Sequence, residues 1–263
     1  MKRFLSILSL IGILALLLAA CGNAEPANRW EAVKSAGKLV VGTSPDYPPF
    51  ESKDATGKFE GFDVDLMNEV AKRMGVTVEW TDMPFDSLVA AVQTGKLDAS
   101  ISAFNYDEER AKQVDFTEAY YTAKDGFLVA DTFAGTISKP EDVAAYKVGA
   151  QSGTVQADWI DANLVQAGLL PAENFLLYER VDQAALDVKA GRIDVLMGDN
   201  IPLAALAADL GGLKVAFEDT VASGEFMIIL PKEEAELQAE LNKAIAALQS
   251  EGFIDQLAQK WFK

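Results

Sequence analysis

The sequence predicts an α/β protein built from two halves of similar plan. Apolar, strand-like runs alternate with amphipathic, helix-like segments, which favours strand–helix units. Residues 94–98 read Thr-Gly-Lys-Leu-Asp, and residues 190–194 read Ala-Gly-Arg-Ile-Asp. In both, a helix is predicted to end on glycine and an aspartate to begin an apolar strand. Two such echoes in the same order indicate a duplicated architecture, and 263 residues are enough for two lobes.

The first half holds the clearer periodicities. Phe62, Leu66 and Val70 recur at helical spacing, so a helix is predicted over 61–74. A second helix is predicted over 85–94. Strands are predicted where apolar and β-branched residues cluster, at 39–44, 76–80 and 97–103.

The second half repeats this order and then ends in a helical tail. A strand with a small-residue turn over 146–153 leads into predicted helices at 154–166 and 182–190, followed by a strand at 193–197. The alternation predicts parallel sheets. The tail reads as helices at 236–248 and 253–262, and we expect it to pack back onto an earlier lobe.

Composition excludes several classes of function. The formal net charge is -17, and the acidic balance argues against nucleic acid and against anionic lipid headgroups as partners. There is no histidine and one cysteine, Cys21, so an intrachain disulfide, the usual zinc sites and Ser-His or Cys-His nucleophiles are absent from the sequence. We predict no metal and no cofactor. An enzyme would have to use carboxylate, Lys, Tyr or Arg chemistry.

The N-terminus reads as an export signal. Lys2 and Arg3 precede an uncharged, mostly aliphatic run over residues 4–20. A transmembrane helix is the rival interpretation, since the run is only slightly short of a spanning length. The segment Leu-Ala-Ala-Cys-Gly that ends the run resembles a bacterial lipobox, which favours a lipoprotein signal over 1–21 and a tether over 22–29. The resemblance implies an exported protein held by lipid on Cys21 at the outer face of the cell membrane or on its periplasmic side.

Six further segments, in one order along the chain, resemble family 3 of the bacterial solute-binding proteins. They are Gly-Thr-Ser-Pro-Asp-Tyr-Pro-Pro-Phe-Glu at 42–51, Gly-Phe-Asp-Val-Asp-Leu at 61–66, Glu-Arg-Ala-Lys-Gln-Val-Asp-Phe at 109–116 with Tyr120 and Tyr121, Val-Gly-Ala-Gln-Ser-Gly-Thr at 148–154, Gly-Arg-Ile-Asp at 191–194 running to Asp199, and Gly252-Phe253 running to Trp261.

The resemblance implies a two-lobed, periplasmic-binding-protein-like fold of type II, with two hinge strands between the lobes. Residues 30–121 and 225–263 would form the first lobe, and residues 122–224 the second. The ligand would lie in the cleft, and the lobes would close over it.

The resemblance also implies roles for particular residues. Arg110 would hold the carboxylate of an amino acid, which suits its planar pair of donors; without the family match it reads as a solvated helical arginine paired with Glu108 or Glu109. Asn105 would donate to the same carboxylate, and the Ala103 carbonyl would accept from the ammonium. Residues 103–106 read Ala-Phe-Asn-Tyr where the family more often has Gly-Met-Thr-Ile, so the pocket floor is altered.

The second lobe would complete the site. Residues 151–155, Gln-Ser-Gly-Thr-Val, open a helix, so the backbone N–H groups of Thr154 and Val155 would face the carboxylate beside Gln151. Ordinary capping by Ser152 or Thr154 is compatible with this. Asp199 would pair with the ammonium, or else form a turn before Pro202.

The side-chain pocket is expected to use the segment after the first strand. By resemblance, its members are Ser44, Asp46, Tyr47 and Phe50, with Phe85 opposite. Tyr47 and Phe85 would stack on the ligand, although core packing is the alternative for both. Relatives that take basic amino acids or glutamine often have Asp where this chain has Ser44, and its absence argues against the same specificity here; Asp46 or Glu51 could substitute.

These features favour a monomeric binding protein that captures a polar L-amino acid for the membrane permease of an ABC importer. One alternative is an enzyme on the same fold, since some relatives are cyclohexadienyl dehydratases; this needs a general acid in a dry cleft. A ligand-sensing subunit is the other alternative. It would need a transmembrane helix after the lobes, and none is predicted before Lys263.

Overall fold

The protein is described by a computed structural model over residues 27–222 and 224–262. The predicted signal sequence, Cys21 and most of the predicted tether lie outside the described residues. Within the described part, strands and helices interleave around two principal sheets, and each sheet with its helices forms one lobe.

The first sheet collects strands from both ends of the chain. Its spatial order is β4-β1-β5-β13-β6, and β7 also pairs with β13. A small hairpin, β2–β3, lies apart from it. The strands are β1 Lys38–Thr43, β2 Ser52–Lys53, β3 Phe59–Glu60, β4 Thr77–Asp82, β5 Ala99–Asn105, β6 Val114–Phe116, β7 Tyr121–Thr122 and β13 Glu225–Pro231.

The second sheet is formed by the middle of the chain, in the order β10-β9-β11-β8-β12. Its central strands are buried along their whole length, which accounts for their continuous apolar composition. The strands are β8 Asp125–Ala130, β9 Val148–Gln151, β10 Phe175–Tyr178, β11 Val195–Asp199 and β12 Leu213–Asp219.

Both sheets are mixed, so the prediction of parallel sheets was wrong in part. Strands β1, β4 and β5 run parallel, as do β9, β10 and β11. However, β13 is antiparallel to β5, β6 and β7, and β8 is antiparallel to β11 and β12. The chain passes from the first sheet to the second after β7 and returns after β12. The first strand after each crossing, β8 or β13, therefore runs opposite to its neighbours in the sheet that it joins. The predicted lobe boundaries at these crossings stay a prediction.

The helices pack against the sheets through apolar faces. Helix α2 buries Phe62, Leu66 and Val70, and it carries acids in its first turn and bases in its last, as the helix dipole favours. The helices are α1 Arg29–Ala36, α2 Phe62–Arg73, α3 Phe85–Gln93, α4 Glu108–Ala111, α5 Val155–Ile160, α6 Val181–Lys189, α7 Asn200–Leu210, α8 Ala235–Ser250 and α9 Phe253–Trp261, and 3₁₀ turns occur at Pro140–Ala145 and Ala172–Asn174.

Two details of the predicted helices are resolved by the structure. The helix expected over 154–166 is α-helical only through α5 and then widens into a π-helical turn, Asp161–Val165. The tail forms α8 and α9, which pack on α2 of the first lobe, as expected. None of the helices in the described part of the chain is both long and apolar enough to cross a membrane.

The repeated Gly-basic-apolar-Asp phrase has the same structural role in both lobes. Gly95 and Gly191 end α3 and α6 with φ of 73° and 70°, in the left-handed region that favours glycine. The Asp98 carboxylate accepts from the backbone N–H of Val40 at 2.8 Å, and the Asp194 carboxylate accepts from that of Lys147 at 2.8 Å. Each aspartate therefore ties the start of one strand to the neighbouring strand, which supports the duplicated architecture.

Candidate functional site

The candidate site is a cavity between the two lobes. It lies where β1, β5, β9 and β11 end, and in open α/β sheets ligands bind outside the carboxyl ends of parallel strands. The space that its lining residues surround is about 310 Å³ and includes some open solvent. The lining residues are Ser44, Asp46, Tyr47, Glu51, Phe85, Ser102, Ala103, Asn105, Arg110, Gln151, Thr154, Val155, Gln156 and Asp199.

Arg110 lies at the base of the cavity on the short helix α4. It is only 7% exposed, and its guanidinium donates to the carbonyls of Asn105 at 2.6 Å and Gly153 at 3.0 Å. The Gly153 carbonyl belongs to the second lobe, so Arg110 spans the cleft. A guanidinium has five N–H donors, and the two carbonyl bonds leave others for a ligand.

Aromatic rings support this cation. Phe85 and Phe104 are stacked with ring centroids 4.7 Å apart, and the Arg110 guanidinium carbon lies 5.3 Å from the Phe104 ring and 5.8 Å from the Phe85 ring. Burial lowers the pKa of Arg110 from its ordinary value, while Asp107 and Asp158 oppose that shift. The arginine remains a cation because its ordinary pKa is far above neutral. The interpretation of Arg110 as a solvated helical residue is wrong.

A second donor stands beside this cation. The buried Asn105 Nδ2 has no hydrogen-bond partner among the described residues. A buried donor without a partner costs about 1–3 kcal/mol, so a ligand acceptor there would recover that free energy. Arg110 and Asn105 together form a donor pair suited to a carboxylate.

Ala103 occupies a strained backbone position. Its φ is 49°, in the left-handed region where a non-glycine residue costs about 1–2 kcal/mol. This explains why glycine is the more usual family residue there. The Ala103 N–H donates to Asp63 Oδ2 at 2.9 Å, so the α2 carboxyl holds the turn in place.

The start of α5 faces the cavity from the second lobe. Thr154 caps this helix by accepting from the N–H of Ala157, and its hydroxyl donates to the Gln151 carbonyl at 2.7 Å. Capping by Thr154 is therefore confirmed, and it is compatible with a ligand role for the helix start. Gly153 has φ of 77°, and a Cβ there would lie 3.0 Å from Asp86 of the first lobe, so glycine permits the close approach of the lobes.

Tyr47 and Asp199 meet across the cleft. The Tyr47 hydroxyl donates to Asp199 Oδ2 at 2.8 Å and accepts from the Asp199 N–H at 2.9 Å. Gln156 Nε2 donates to the other carboxylate oxygen at 3.1 Å. Asp199 precedes α7 but makes no side-chain cap with it, which disfavours its interpretation as a turn-forming residue.

Asp46 forms a second link between the lobes. Its Oδ2 accepts from the N–H of Val181 at 2.7 Å and from Gln151 Nε2 at 3.1 Å, while its Oδ1 accepts from the Ser44 hydroxyl at 2.7 Å. Val181 is the first residue of α6, so a carboxylate of one lobe caps a helix of the other. Arg180 adds a bond to the Pro45 carbonyl at 3.2 Å. The described lobes are therefore closed on each other.

Comparisons with known proteins agree with this geometry. The family described as bacterial extracellular solute-binding proteins, family 3, matches residues 39–263. The chain belongs to this family. A probable histidine-binding protein of Campylobacter jejuni is 30% identical over 99% of both chains, and the lysine/arginine/ornithine-binding periplasmic protein of Escherichia coli is 31% identical over 95% of this chain and 96% of the relative.

Solved structures place the solute-binding protein among two-lobed amino-acid-binding folds. An ancestral arginine-binding protein bound to arginine superposes with a TM-score of 0.80 at 33% identity, covering 86% of this chain and 99% of that chain. An ancestral amino-acid-binding protein described as a precursor of cyclohexadienyl dehydratase superposes at 0.78 with 32% identity, covering 89% and 100%. The predicted family and fold are confirmed.

The cavity of this solute-binding protein brings together eleven of the twelve residues predicted to lie around the ligand. Their individual roles stay predictions. Phe50, expected in the side-chain pocket, instead packs fully buried against Phe62, Tyr121, Phe226 and Phe262. Its ring points into the core of the first lobe because these four rings surround it.

Three lining residues were not among those predictions. Ser102 and Gln156 had no recognisable sequence motif. Each donates a hydrogen bond to a carboxylate that is distant in sequence, Ser102 to Glu51 and Gln156 to Asp199, so only the fold brings them to the site. Glu51 was considered only as a substitute for an acid at Ser44. Its Oε1 accepts from the Ser102 hydroxyl at 2.6 Å, and its Oε2 is buried without a partner among the described residues.

Glu51 lies against a second buried carboxyl, that of Asp63 on α2. The backbone N–H of Asp63 donates to the Phe50 carbonyl at 2.9 Å, and the two carboxyl groups accept from the consecutive residues Ser102 and Ala103, so they adjoin. Burial, followed by the charge of Asp63, raises the pKa of Glu51 well above its ordinary value. Burial also raises the pKa of Asp63 to about 7, although hydrogen bonds from the Ala103 N–H and the Tyr120 hydroxyl oppose that shift. Two carboxyl groups in such contact can bond only if they share a proton.

Proposed function

We propose that this solute-binding protein captures a basic L-amino acid in the cleft and delivers it to the permease of an ABC importer. The observation that carries the proposal is the distribution of charge around the cavity. One buried cation, Arg110, faces three buried acids, Asp46, Glu51 and Asp199. A buried charge must be paired to be tolerated, and a ligand with one carboxylate and two cationic groups complements this set.

Each end of such a ligand has a matching group. Arg110, Asn105 and the backbone at Thr154 and Val155 would hold its carboxylate. The α-ammonium would lie between Asp199 and the Ala103 carbonyl. The side-chain cation would reach Glu51 Oε2, the buried acceptor that lacks a protein partner.

Glu51 would thus replace the acid that related binders often have at the position of Ser44. Ser44 itself is occupied in this chain, since its hydroxyl donates to Asp46. Asp46 is in turn used by the contact with α6. Among the candidates for a side-chain acid, Glu51 is therefore the cavity-lining residue that keeps an oxygen without a partner among the described residues. The related probable histidine-binding protein and lysine/arginine/ornithine-binding protein support the same ligand class.

The test is a ligand screen with the purified mature chain. We expect arginine, lysine, ornithine or histidine to raise the melting temperature and to bind with a Kd on the order of 1 µM or tighter, about -8 kcal/mol. L-Citrulline, which has nearly the shape of arginine without its side-chain charge, should bind at least tenfold more weakly. Binding of citrulline or glutamine as tight as that of arginine would contradict a basic ligand. Failure of all amino acids at millimolar concentration would contradict amino-acid capture.

We further propose that the protein is anchored by lipid on Cys21. Cys21→Ser should leave the chain without its acyl attachment, and the variant should move from the membrane fraction to the soluble exported fraction. A matched control is Ser9→Ala within the uncharged run, which should remain in the membrane fraction. Retention of Cys21→Ser at the membrane would favour the uncleaved transmembrane interpretation of residues 4–20.

A second candidate function is dehydration of a cyclohexadienyl acid. The observation in its favour is the buried carboxyl pair, because burial raises the pKa of both Glu51 and Asp63, and a general acid must hold its proton near neutral pH. Ultraviolet absorbance would follow formation of an aromatic product from such an acid. We expect none, because the cavity charges suit a cationic ligand. Product formation that Glu51→Gln abolishes would establish the enzyme instead.

A further inference from the structure

A further inference, which rests on the proposed function, concerns the adjoining carboxyl groups of Glu51 and Asp63 at the cavity. We propose that Glu51 and Asp63 share one proton in the empty cleft and release it to solvent when the cationic side chain of the ligand binds, so that the pair selects cations in a pH-dependent way. The pair would act as a charge-specificity determinant rather than as a fixed anion.

The geometry of the pair carries this proposal. Glu51 uses Oε1 to accept from Ser102, and Asp63 uses Oδ2 to accept from Ala103 and Tyr120. The remaining oxygens, Glu51 Oε2 and Asp63 Oδ1, are both buried and have no other partner among the described residues. The backbone bond from Asp63 N–H to the Phe50 carbonyl brings these two carboxyl groups side by side, and a single shared proton can satisfy both oxygens.

The surroundings favour the protonated state when no ligand is present. Glu51 is 1% exposed and Asp63 is fully buried, and within the described part of the chain neither is paired with a basic side chain. The raised pKa of both groups follows from this burial. The titratable and charged groups that face the pair are Asp46 and Tyr47 after β1, Arg110 on α4, Tyr120 before β7, and Asp199 at the end of β11.

A cation at Glu51 would reverse this balance. An opposite charge within a few ångströms favours the carboxylate, so the pKa of the pair would fall on binding. Between the lowered and the raised pKa, binding releases a proton. Affinity for a cationic ligand should then fall as the pH is lowered through neutrality, by up to about tenfold per pH unit for one linked proton. A neutral ligand has no such charge and should show no such dependence.

The experiment is calorimetric titration of L-arginine and L-citrulline at pH 7 in buffers of different ionisation enthalpy. The dependence of the observed heat on the buffer reports the protons released. We expect about one proton for arginine and close to none for citrulline. The α-amino and α-carboxyl groups are common to both ligands, so their difference isolates the side-chain charge.

Substitutions show whether the protons released on binding come from Glu51 and Asp63 or from other groups. Glu51→Gln has no carboxyl proton to release, so we expect arginine binding to lose its pH dependence and the ratio of arginine to citrulline affinity to fall. Asp63→Asn leaves Glu51 without its acidic neighbour, so proton release at pH 7 should fall while arginine still binds. Asp65→Asn, at a half-buried carboxylate of α2 that pairs with Lys260 away from the cavity, should change neither property.

The melting temperature of the unliganded protein, measured as a function of pH, shows whether a variant still folds and whether its proton binding has changed. An acid with a raised pKa holds its proton in the folded state over a range where the unfolded chain has lost it, so the stability of the empty protein should fall as pH rises from about 4 towards the raised pKa. Glu51→Gln should flatten this decline in melting temperature. Equal proton release for arginine and citrulline, or unchanged release in Glu51→Gln, would overturn the inference. Those results would leave the proposed function intact, whereas failure of every amino acid to bind would overturn both.

Discussion

Arg110→Ala is expected to weaken amino-acid binding by far more than tenfold. The substitution would leave the ligand carboxylate buried without its cation, and such a loss costs roughly 2–5 kcal/mol, or about 30-fold to several thousand-fold in Kd. Because the guanidinium also donates to the Gly153 carbonyl of the second lobe, closure should be weakened as well. Calorimetric titration measures the affinity, and small-angle scattering measures closure.

Two controls distinguish a binding role from a folding role. Arg110→Lys keeps the charge but lacks the planar pair of donors, so its loss should be smaller than that of alanine. Lys112→Ala removes an exposed cation from the same region and should bind normally. The melting temperature of unliganded Arg110→Ala should stay close to that of the wild type, because a buried cation contributes little net stability. Wild-type affinity in Arg110→Ala would remove this residue from the site.

Asp199, on the opposite lobe from Arg110, is proposed to contact the ligand ammonium. Asp199→Asn should weaken binding less than Arg110→Ala, because the amide oxygen can still accept from the ligand ammonium. It also keeps the hydrogen bond with Tyr47 possible in one orientation. A larger loss in Asp199→Asn than in Arg110→Ala would mean that the ammonium contact, and not the carboxylate contact, anchors the ligand.

Asp46→Ala is expected to weaken binding of every ligand by a similar factor, about 10- to 100-fold. Its carboxylate accepts two hydrogen bonds from the second lobe, one of them from the start of α6. Hydrogen bonds to charged groups contribute about 1.5–3 kcal/mol, and these exist only when the lobes are closed. The ligand must then supply the lost stabilisation of the closed state from its own contacts.

If Asp46 acts through closure of the lobes, its substitution should weaken the binding of all ligands by the same factor. The ratio of Kd values for arginine and citrulline should be unchanged in Asp46→Ala, whereas Glu51→Gln should reduce that ratio. Scattering profiles should show a larger open fraction at equal ligand occupancy. Asp182→Ala removes a nearby, exposed acid at the same helix and should have little effect. A change of the arginine-to-citrulline ratio in Asp46→Ala would place Asp46 at the ligand side chain.

The fold was largely predictable because its elements carry strong local signals. The apolar spacing of Phe62, Leu66 and Val70 predicted α2, and the glycines at 95 and 191 predicted the ends of α3 and α6. The strand directions were less predictable. Whether β13 runs parallel or antiparallel to β5 depends on how the chain returns between lobes, and no local pattern encodes that path.

Sequence motifs predicted which residues belong to the site, but not how their side chains are oriented. The motif around Arg110 and the turn after β1 identified residues that line the cavity. Their sequence could not show that Phe50 faces the core, since an aromatic residue suits either environment. It also could not show that Asp46 caps a helix of the other lobe, because residues 46 and 181 are joined only by closure.

The sequence by itself determined the family, the alternation of strands and helices, and the residues that would surround a ligand, because these depend on short-range spacing and on motifs. Only the tertiary structure decided which acid is available to a ligand side chain. Asp46, Glu51 and Asp199 are chemically alike along the chain, and their differences arise from the partners that folding brings to them. Asp46 is used by α6 and Asp199 by Tyr47, while Glu51 is left beside Asp63 with one oxygen open. Burial and long-range pairing set the charge of a carboxyl, and both are properties of the folded chain.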